Sequence, residues 1–510
     1  MPPLAQCYHG WQFGVLNKGL GDGRAFTWGQ WRRGAEVWDL GTKGSGKTPF
    51  ARGHDGQLTL EGALREVIGS EALAACGVRT SRMVAVVETG GRVLRGSPGV
   101  ECRGAVLVRA SQSLLRFGTF ERLLHLGLAP AELRAQLKVL AGYCLRQTYP
   151  HLLAASEPEP EPELGPGQEQ QQEQAPEPCG CWLSLFSAVC RRTAEMVAAM
   201  MSAGFTHGKP PRYCWHLGCI LQRVTAISLR AGVLNTDNLS LAGEVIDYGP
   251  FAFLSSYDPG FVAASFDAHG RYAFGAQQEA CRWALCRLGV AFHGLGAFDS
   301  VPTGDKEAKV AAVVEREFSQ TVDVAYRQRM VAKLGFGLVG SADGAGGPEA
   351  SDATARRLAL EERLSRTTRA LFRRAGISMH EFFTELADCV AAVGPESQLG
   401  PEFAAQLEGC SFAGTAASLA SKEWAEFGAA YTGRLALALE LGETASGVSA
   451  AVLSQRLPMD LGDGVVEEVW RSIAEGDDWR PFERLTRALD AHGARRPEGY
   501  RSAASVSVPI

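Results

Sequence analysis

Three polar side chains flank one short apolar segment near the middle of the chain, and their types fit a metal and phosphate site. The apolar residues around the turn in residues 239–246 predict a tight β-hairpin. Asn238 lies at the start of this hairpin and Asp247 at its end, so strand pairing would bring an amide oxygen and a carboxylate together. Such hard oxygen ligands suit Mg²⁺ beside phosphate oxygens. Asp237, adjacent but pointing elsewhere, could take a proton from a hydroxyl nucleophile.

The same residues are also typical of an ordinary turn. Asn and Asp favour turns because their side chains bond their own backbone. The spacing alone leaves both interpretations open, and the rest of the chain must decide between them.

Length and composition indicate a soluble globular protein of two or three domains. The chain has 510 residues, 46% of them hydrophobic, and contains no apolar run as long as a membrane span, so we expect no membrane partner. The net charge is −5, but residues 156–178 hold seven Glu and no Lys or Arg, which leaves the remainder nearly neutral. This balance gives no case for a nucleic-acid surface.

Thirteen cysteines are scattered along the chain without the spacing of a zinc site. A core of this size needs no disulfide staples. We therefore expect reduced thiols in an intracellular protein.

A glycine-rich segment, residues 41–48, matches the P-loop expression letter for letter. A P-loop needs a helix that begins at its Lys-Thr, here Lys47 and Thr48, so that backbone amides receive phosphate. Pro49 pushes Thr48 away from helical geometry, and the next predicted helix begins only at Leu60. A P-loop NTPase is therefore the weaker alternative, while a mobile glycine loop over phosphates is compatible with the same residues.

The first hundred residues place chemistry-bearing residues in a familiar order. Lys43 follows a strand predicted over residues 37–40, and Glu66 lies off the apolar stripe of a predicted helix over residues 60–76. A hairpin turning at Gly90-Gly91, with arms 83–87 and 92–94, and a strand at 105–108 follow. A lysine on a strand that pairs with a glutamate on a helix, followed by a late catalytic Asp, a metal Asn and a second Asp, is the order of parts in protein kinases.

The sequence motifs of protein kinases are themselves missing. The His-Arg-Asp and Asp-Phe-Gly motifs are absent, and the catalytic Asp and metal Asn are adjacent here instead of five residues apart. A solvated surface pair remains the alternative for Lys43 and Glu66.

Short motifs in a fixed order make the comparison specific. They are Gly21-Asp-Gly-Arg24, Lys43-Gly-Ser-Gly-Lys-Thr-Pro49, Asp55-Gly56, Leu64-Arg-Glu66, Arg109 with Arg116-Phe-Gly118, Val233-Leu-Asn-Thr-Asp-Asn238 and Ile246-Asp-Tyr-Gly-Pro-Phe251. Together they resemble the selenoprotein O family of kinase-like protein adenylyltransferases, known in bacteria as YdiU. Fainter similarity extends to about residue 491.

The resemblance implies an α+β fold of the protein-kinase-like, two-lobed kind with a helical C-terminal region. The small nucleotide-binding lobe would span residues 1–115. The large catalytic lobe would span 116–345, with a solvated insert at 156–178 and an unusual insert at 209–232. Residues 346–510 would form helices packed on the large lobe. Sequence periodicity predicts helices over residues 130–143, 185–205, 279–288, 306–336, 358–374, 378–393, 423–441 and 465–492.

The resemblance also implies the activity. ATP would bind in a flipped orientation, so that AMP passes to Ser, Thr or Tyr hydroxyls of proteins. Asp237 would accept the proton, and Asn238 and Asp247 would hold Mg²⁺, with Mn²⁺ as the alternative. Lys43, held by Glu66, would contact phosphate. The implied nucleotide-binding set is Gly21, Gly23, Arg24, Lys43, Asp55, Gly56, Arg109, Arg116 and Asp247. Eukaryotic members of the family imply a mitochondrial location, which the N-terminal sequence does not indicate.

Three features depart from the family. The match begins at His9-Gly-Trp-Gln-Phe-Gly14, so we expect a small lobe that lacks its N-terminal part. The usual Asp-Gly-Arg reads Asp55-Gly56-Gln57, and the tail 500–510 has no cysteine where members often carry a Cys or selenocysteine.

A fourth departure enters the catalytic motif. The family runs His-Gly-Val-Leu-Asn-Thr-Asp-Asn without a break, whereas here residues 209–232 separate Gly208 from Val233. Codons for the Gly-Lys pair at the start of the insert can contain a splice-donor-like sequence. Codons for the Ala-Gly pair at its end can contain an acceptor-like sequence. We interpret the insert as a retained intron, with a genuine insertion as the alternative. Either would disturb a catalytic loop where small displacements are costly, so a disabled nucleotide-binding pseudoenzyme is the second functional hypothesis.

Overall fold

A five-stranded antiparallel sheet close to the N-terminus is the largest sheet of the computed structural model. The structure describes residues 2–154, 181–208, 234–302, 304–337, 348–393 and 421–494, apart from 35, 96–98, 249–250, 264–266, 268 and 458. Helices predominate in the rest of this part of the chain, so the fold is α+β as predicted. The predicted inserts at 156–178 and 209–232 and the tail 500–510 lie outside the described residues.

Nine strands form the described sheets. They are β1 (Cys7–Gln12), β2 (Val15–Gly21), β3 (Ala25–Arg33), β4 (Glu36–Lys43), β5 (Leu58–Thr59), β6 (Arg82–Arg95), β7 (Val100–Ser111), β8 (Phe205–His207) and β9 (Phe251–Phe253). In the five-stranded sheet β3 pairs with β4 and β4 with β7, while β5 and β6 both pair with β7. β1 and β2 form a separate hairpin, and β8 pairs with β9.

The prediction of a hairpin that turns at Gly90-Gly91 is wrong. Arg82–Arg95 is one strand that pairs with β7 along its whole length. The register moves from Glu88 opposite Ala105 to Arg92 opposite Arg103. The glycine pair therefore sits in a bulge, which absorbs extra residues without reversing the chain.

Helix α1 (Leu60–Ala75) packs across this sheet. The Thr59 side chain caps it by accepting a hydrogen bond from a first-turn backbone amide, a common way to satisfy an unpaired helix N–H. Its apolar face, including Leu64, is buried in the first core. Glu66 is buried as well, although it lies off that face, because its carboxylate pairs with Lys43.

The remaining helices build most of the chain. They are α2 (Phe117–Leu123), α3 (Pro130–Gln147), α4 (His151–Ala154), α5 (Cys181–Ser202), α6 (Gln277–Gly294), α7 (Lys306–Val314), α8 (Gln320–Lys333), α9 (Pro348–Ala375), α10 (Met379–Ala391), α11 (Ser421–Glu440), α12 (Ala445–Gln455), α13 (Asp463–Gly476) and α14 (Arg480–Ala494). Two predicted helices before residue 340 differ. The helix expected over 185–205 ends at Ser202, so that Phe205 joins β8, and the one expected over 306–336 contains a π-helical turn at Glu315–Ser319.

The helices are organised around two hydrophobic cores. The first contains α1, α2, α3, α5, α6 and α7 together with β7, and the second contains α8 to α12. The last two helices belong to the first core, where they contact α1. The last two helices of the chain therefore lie beside the helix that carries Glu66.

A left-handed residue explains this docking. The helix predicted over 465–492 is interrupted at Asp477, whose φ of 48° ends α13. Arg103 of β7 then pairs with the Asp477 carboxylate at 2.9 Å and donates to the Ile473 carbonyl at 3.2 Å. These bonds tie the turn between α13 and α14 to the sheet.

The cysteines follow the prediction with one exception. Eight described cysteines are free thiols, five of them buried. Cys389 on α10 is disulfide-bonded, so the expectation of reduced thiols is wrong at this position.

Among the described helices, no single one is long and apolar enough to cross a membrane. Residues 422–440 of α11 and helix α12 reach that length and hydropathy only as a pair, bent by 120°.

The predicted hairpin at residues 239–246 is confirmed by its pairing. Leu239 and Val245 form an antiparallel bridge, and the Ile246 N–H donates to the Asn238 carbonyl at 3.0 Å. Glu244, at the turn, is buried. Burial raises the pKa of its carboxyl to about 7, against hydrogen bonds that favour ionisation.

A protonated Glu244 suits its surroundings. The Ser111 hydroxyl oxygen lies 2.5 Å from Glu244 Oε2 and 2.9 Å from the Ser113 carbonyl oxygen. When the Glu244 carboxyl is protonated it can donate to the Ser111 hydroxyl, which can then donate its single proton to the Ser113 carbonyl.

This environment makes stability depend on pH. A raised carboxyl pKa contributes stability below the unfolded value near 4.5, and this contribution is lost as pH rises towards 7. We expect Glu244→Gln to abolish a loss of about 2 kcal/mol between pH 5 and pH 8. Urea unfolding of both proteins at the two pH values measures it. An equal stability difference between variant and wild type at both pH values would contradict the assignment.

Candidate active site

One carboxylate, that of Asp247, receives three cationic side chains from different parts of the chain. Lys43 Nζ lies 2.6 Å and Arg109 Nη1 lies 2.9 Å from Asp247 Oδ1. Arg116 Nη1 lies 3.1 Å from the other oxygen, Oδ2. Asp247 also has a φ of 70°, an uncommon backbone conformation for a residue other than glycine. Strain of this kind concentrates at functional sites.

Three elements deliver these cations. Lys43 is the last residue of β4 and Arg109 lies in β7, where it pairs with Gly41 of β4. Their side chains are on the sheet face that α1 covers, so the Lys43 ammonium reaches Glu66 as well as Asp247. Arg116 occupies the N-cap position of α2, where its backbone N–H donates to the Thr119 hydroxyl at 3.3 Å. The predicted Lys43–Glu66 pair is therefore a buried pair and not a solvated one.

The electrostatics of Asp247 follow from this contact set. Burial disfavours its ionised form, but Lys43, Arg116 and Arg109 outweigh burial and hold the pKa of the Asp247 carboxyl well below its usual range. The side chain remains 24% exposed, whereas Arg109 is only 2% exposed. Asp247 is thus ionised and accessible from one side.

Arg116 connects this carboxylate to Asp237. Its Nη1 atom donates to the Asp237 carbonyl oxygen at 2.6 Å. Its Nη2 lies 3.3 Å from Asp22 Oδ1, and its guanidinium stacks on the Tyr8 ring at 4.7 Å. A buried guanidinium with this many partners can hold the segments that carry Asp237, Asp247 and Asp22 in one arrangement.

Asp237 lies in a short 3₁₀ turn, Thr236–Asn238, and is buried. Burial raises the pKa of its carboxyl to about 6, against the lowering effects of Arg116 and of a hydrogen bond from Gln12. A carboxylate with a pKa near neutrality is suited to accept a proton in a reaction.

The predicted metal ligands are brought together. Asn238 is hydrogen-bonded through its carbonyl to the residue before Asp247, so the two lie side by side at the open end of the hairpin. An amide and an ionised carboxylate form a donor set that fits Mg²⁺. Among the described residues no cluster of three or more His, Cys, Asp or Glu could hold a metal. A metal here would depend on Asn238, Asp247 and oxygens of the substrate.

The predicted glycine-loop residues form a neighbouring group. Arg24 donates to the Gln57 carbonyl at 3.1 Å, and Asp55 pairs with Arg95 at 2.6 Å. Gly56 has a φ of 77°, and a Cβ there would lie 2.3 Å from the backbone of the loop that follows Lys43. The loop therefore folds back on itself and depends on glycine at this position.

The P-loop alternative fails on local structure. No helix begins at Lys47-Thr48, and the next one starts at Leu60. The Thr48 hydroxyl donates to the Asp22 carbonyl at 2.5 Å and accepts from the Phe50 N–H at 3.1 Å. It is occupied in holding the loop.

Sequence reasoning missed several residues of this site. Gln12 donates to Asp237, Asp22 binds Arg116, and Arg95 binds Asp55. The buried Glu121 accepts from the Thr236 hydroxyl at 2.7 Å. Gln12 and Asp22 stand inside motifs that the sequence had singled out, whereas nothing in the local pattern marks Glu121 or Arg95.

Comparison with known proteins gives a family match over most of the chain. The family model described as "Protein adenylyltransferase SelO" matches residues 1–209 and 222–490. A protein named "Protein nucleotidyltransferase YdiU" from Gloeobacter violaceus is 35% identical over 492 residues, 95% of this chain and 81% of its own length. Proteins of the same name from Trichormus variabilis and Synechocystis sp. are each 32% identical, over 96% of this chain and 84% and 85% of theirs.

The comparison also bears on the predicted insert and on the implied mitochondrial location. The family match is interrupted between residues 209 and 222, inside the predicted insert. The relatives named above are bacterial, so they do not support the mitochondrial location that eukaryotic members implied.

The site geometry predicts which loop lysine matters for nucleotide binding. We expect Lys43→Ala to weaken Mg·ATP binding by about 10- to 100-fold, because it removes a buried cation at Asp247. Lys47→Ala, on the same loop but exposed, should change binding by less than about twofold. Calorimetric titration measures both, with melting temperatures recorded because Lys43→Ala also unpairs Glu66. A larger loss at Lys47 would restore the P-loop interpretation.

Proposed function

The chain belongs to the SelO family of protein adenylyltransferases, and we propose that it transfers AMP from ATP to a Ser, Thr or Tyr hydroxyl of a protein. The observation that carries this proposal is the convergence of Lys43, Arg109 and Arg116 on Asp247, beside the buried Asp237. Polyphosphate needs several cations, and an acceptor hydroxyl needs a base to take its proton. Both sets of groups are present, and Arg116 contacts each of them.

The cations would serve the nucleotide. Phosphoryl-group transfer is mainly a matter of position and charge neutralisation, so the protein has little covalent chemistry to perform. Lys43, Arg109 and Arg116 would exchange part of their contact with Asp247 for phosphate oxygens. Asn238 and Asp247 would hold Mg²⁺ or Mn²⁺, which would neutralise phosphate charge.

The buried carboxylate would serve the acceptor. The acceptor O–H bond breaks and its proton passes to Asp237, while the hydroxyl oxygen forms a bond to the α-phosphorus. The bond from the α-phosphorus to the bridging oxygen breaks, and pyrophosphate leaves with that electron pair. This step requires the α-phosphate to face the acceptor, which is the flipped orientation of ATP.

The glycine-rich loops would cover the remainder of the nucleotide. Arg24, Asp55 and Gly56 lie together next to the loop that follows Lys43. Arg95, which binds both Asp55 and the Gln57 carbonyl, places a guanidinium beside the position where the family's Asp-Gly-Arg carries its arginine. Gly21 and Gly23 lie against Phe50 and Ala51 of the same loop.

A kinase-like division into lobes accommodates these parts. Residues 1–115, with the sheet and α1, would be the small lobe, and 116–345 the catalytic lobe. Residues 346–510 would form a helical region whose last two helices return to α1. The active site would then lie between β4, β7 and α1 on one side and the hairpin 239–246 on the other.

A disabled pseudoenzyme is the competing function. The interruption of the family match between residues 209 and 222, which precedes the turn Thr236–Asn238, favours the pseudoenzyme. The two functions share the nucleotide site and differ in whether AMP reaches an acceptor.

Label transfer separates them. The chain, and a version lacking residues 209–232, are incubated with Mg²⁺, a mixture of acceptor proteins, and ATP labelled at the α- or the γ-phosphate. We expect protein labelling from α-labelled ATP alone, because pyrophosphate is the leaving group. Removal of the metal with a chelator should abolish it.

The matched control is Asp247→Ala, which should bring labelling to background because it removes the group on which the cations converge. Labelling from the γ-phosphate would mean an ordinary kinase and overturn the proposal. Activity in the shortened version alone would identify the insert as inhibitory. Silence of both versions, with Mg·ATP binding retained, would establish the pseudoenzyme.

A further inference from the structure

The β1–β2 hairpin contacts the 3₁₀ turn Thr236–Asn238 and the residue before it. The Trp11 N–H donates to the Thr236 hydroxyl at 2.8 Å, and Gln12 Nε2 donates to Asp237 Oδ2 at 3.0 Å. The Phe13 N–H donates to the Tyr272 hydroxyl, which in turn donates to Asn235 Oδ1 at 2.7 Å. Residues 11, 12 and 13 thus reach 236, 237 and 235. A strand more than 200 positions away in the chain sets the place of the proposed base.

A chain of amides fixes which end of the Gln12 side chain faces Asp237. The Gly19 N–H donates to Asn17 Oδ1 at 3.0 Å, and a backbone N–H can only donate. The Asn17 amide nitrogen therefore points the other way and donates to Gln12 Oε1 at 3.4 Å. This leaves the Gln12 NH₂ group for the carboxylate. The direction of these hydrogen bonds is thus set by the Gly19 backbone N–H. It does not depend on how the oxygen and nitrogen of the Asn17 and Gln12 amides are assigned.

The contact leaves Asp237 little freedom. Gln12 is 5% and Asp237 9% exposed. A Cβ on Gly10 would lie 2.5 Å from Asp237 Oδ1 and 2.7 Å from a Leu20 methyl carbon, so the carboxylate lies directly against the β1 backbone. Oδ2 is held by Gln12, whereas Oδ1 has no hydrogen-bond partner in the described part of the chain. Both oxygens are therefore fixed in place, Oδ2 by the Gln12 amide and Oδ1, which is itself buried, by packing against β1.

We propose that Gln12 is a positioning residue for AMP transfer, which holds the Asp237 carboxylate through Oδ2 and so fixes the orientation in which the carboxylate meets the acceptor hydroxyl. The proposal rests on the proposed function, because it requires Asp237 to be the base. It adds the β1–β2 hairpin to the active site as the element that orients the base. Gln12 touches neither Lys43, Arg109 nor Asp247 within hydrogen-bond distance among the described contacts, so its effect is on the acceptor side.

A structural role and a positioning role predict different kinetics. If Gln12 only stabilised the hairpin, its loss would lower the amount of folded protein and leave the turnover of each folded molecule unchanged. If it positions the base, the loss falls on kcat while the KM for ATP stays constant, because the phosphate contacts are intact.

The test uses the full chain and initial rates of transfer from α-labelled ATP, with Gln12→Met as the variant. Methionine keeps the length and removes the donor. We expect kcat to fall by about 10- to 100-fold, with the KM for ATP within about twofold of wild type. Gln12→Glu should lower kcat further, because it places a second carboxylate against that of Asp237. Asn17→Ala, which frees the Gln12 amide to rotate, should lower kcat to a smaller extent.

Gln30→Met is the matched control, because Gln30 Nε2 also donates to a carboxylate, that of Asp39, at 2.9 Å between β3 and β4, where neither residue contacts Asp237. It should transfer AMP at the wild-type rate. In an Asp237→Asn background, Gln12→Met should cause no further loss, since the group through which it acts is gone. Mg·ATP titration confirms that each variant is folded.

The outcomes separate the two proposals. If the wild-type chain and its shortened version transfer no label, the proposed function fails. If they transfer label and Gln12→Met keeps the wild-type kcat, or raises the KM for ATP in proportion to its loss, the positioning role of Gln12 fails while the function stands. If Gln12→Met does not fold, an unchanged kcat in Asn17→Ala refutes the role.

Discussion

The site depends on one electrostatic constraint, the balance of buried charges around Asp247. Lys43 and Arg109 are too deeply buried to be solvated, and each uses the Asp247 carboxylate as a partner. Unpaired buried charges are costly, so these groups hold each other in place. Glu66 anchors Lys43 from α1, and Asp22 anchors Arg116 from the first glycine motif. A nucleotide with its metal would enter this network by replacing some of these contacts.

The constraint also explains the architecture. The partners come from β4, β7, α1, the start of α2 and the hairpin 239–246, so no single element could support the site. β4 and β7 place Lys43 and Arg109 by their register, and α1 supplies Glu66 from above the same sheet face. α13 and α14 pack on the outer side of α1 and bond to β7 through Arg103. A distant C-terminal segment thereby supports the helix that carries Glu66.

The sequence predicted the parts of the site that local pattern or motif order encodes. The hairpin at 239–246 follows from two short apolar segments that flank a turn, and the rejection of the P-loop follows from Pro49. The Lys43–Glu66 pair needed the kinase-like order of motifs, since spacing alone left it as a surface pair. Gln12 and Glu121 could not be assigned, because their roles come from contacts across more than a hundred residues. The bulge at Gly90-Gly91 was misjudged because a glycine pair suits a turn and a bulge equally, and only pairing with β7 decides.

The charge balance at Asp247 is tested most directly by ATP affinity in Asp247→Asn, with and without Mg²⁺. Asparagine keeps the size and tolerates the left-handed backbone. Without metal, the substitution should tighten ATP binding by about tenfold, because it releases Lys43, Arg109 and Arg116 for the triphosphate. With Mg²⁺ it should weaken binding by a similar factor, because a metal ligand is lost. Opposite signs in the two titrations are the predicted result. Weaker binding in both, or no change in either, would contradict the account.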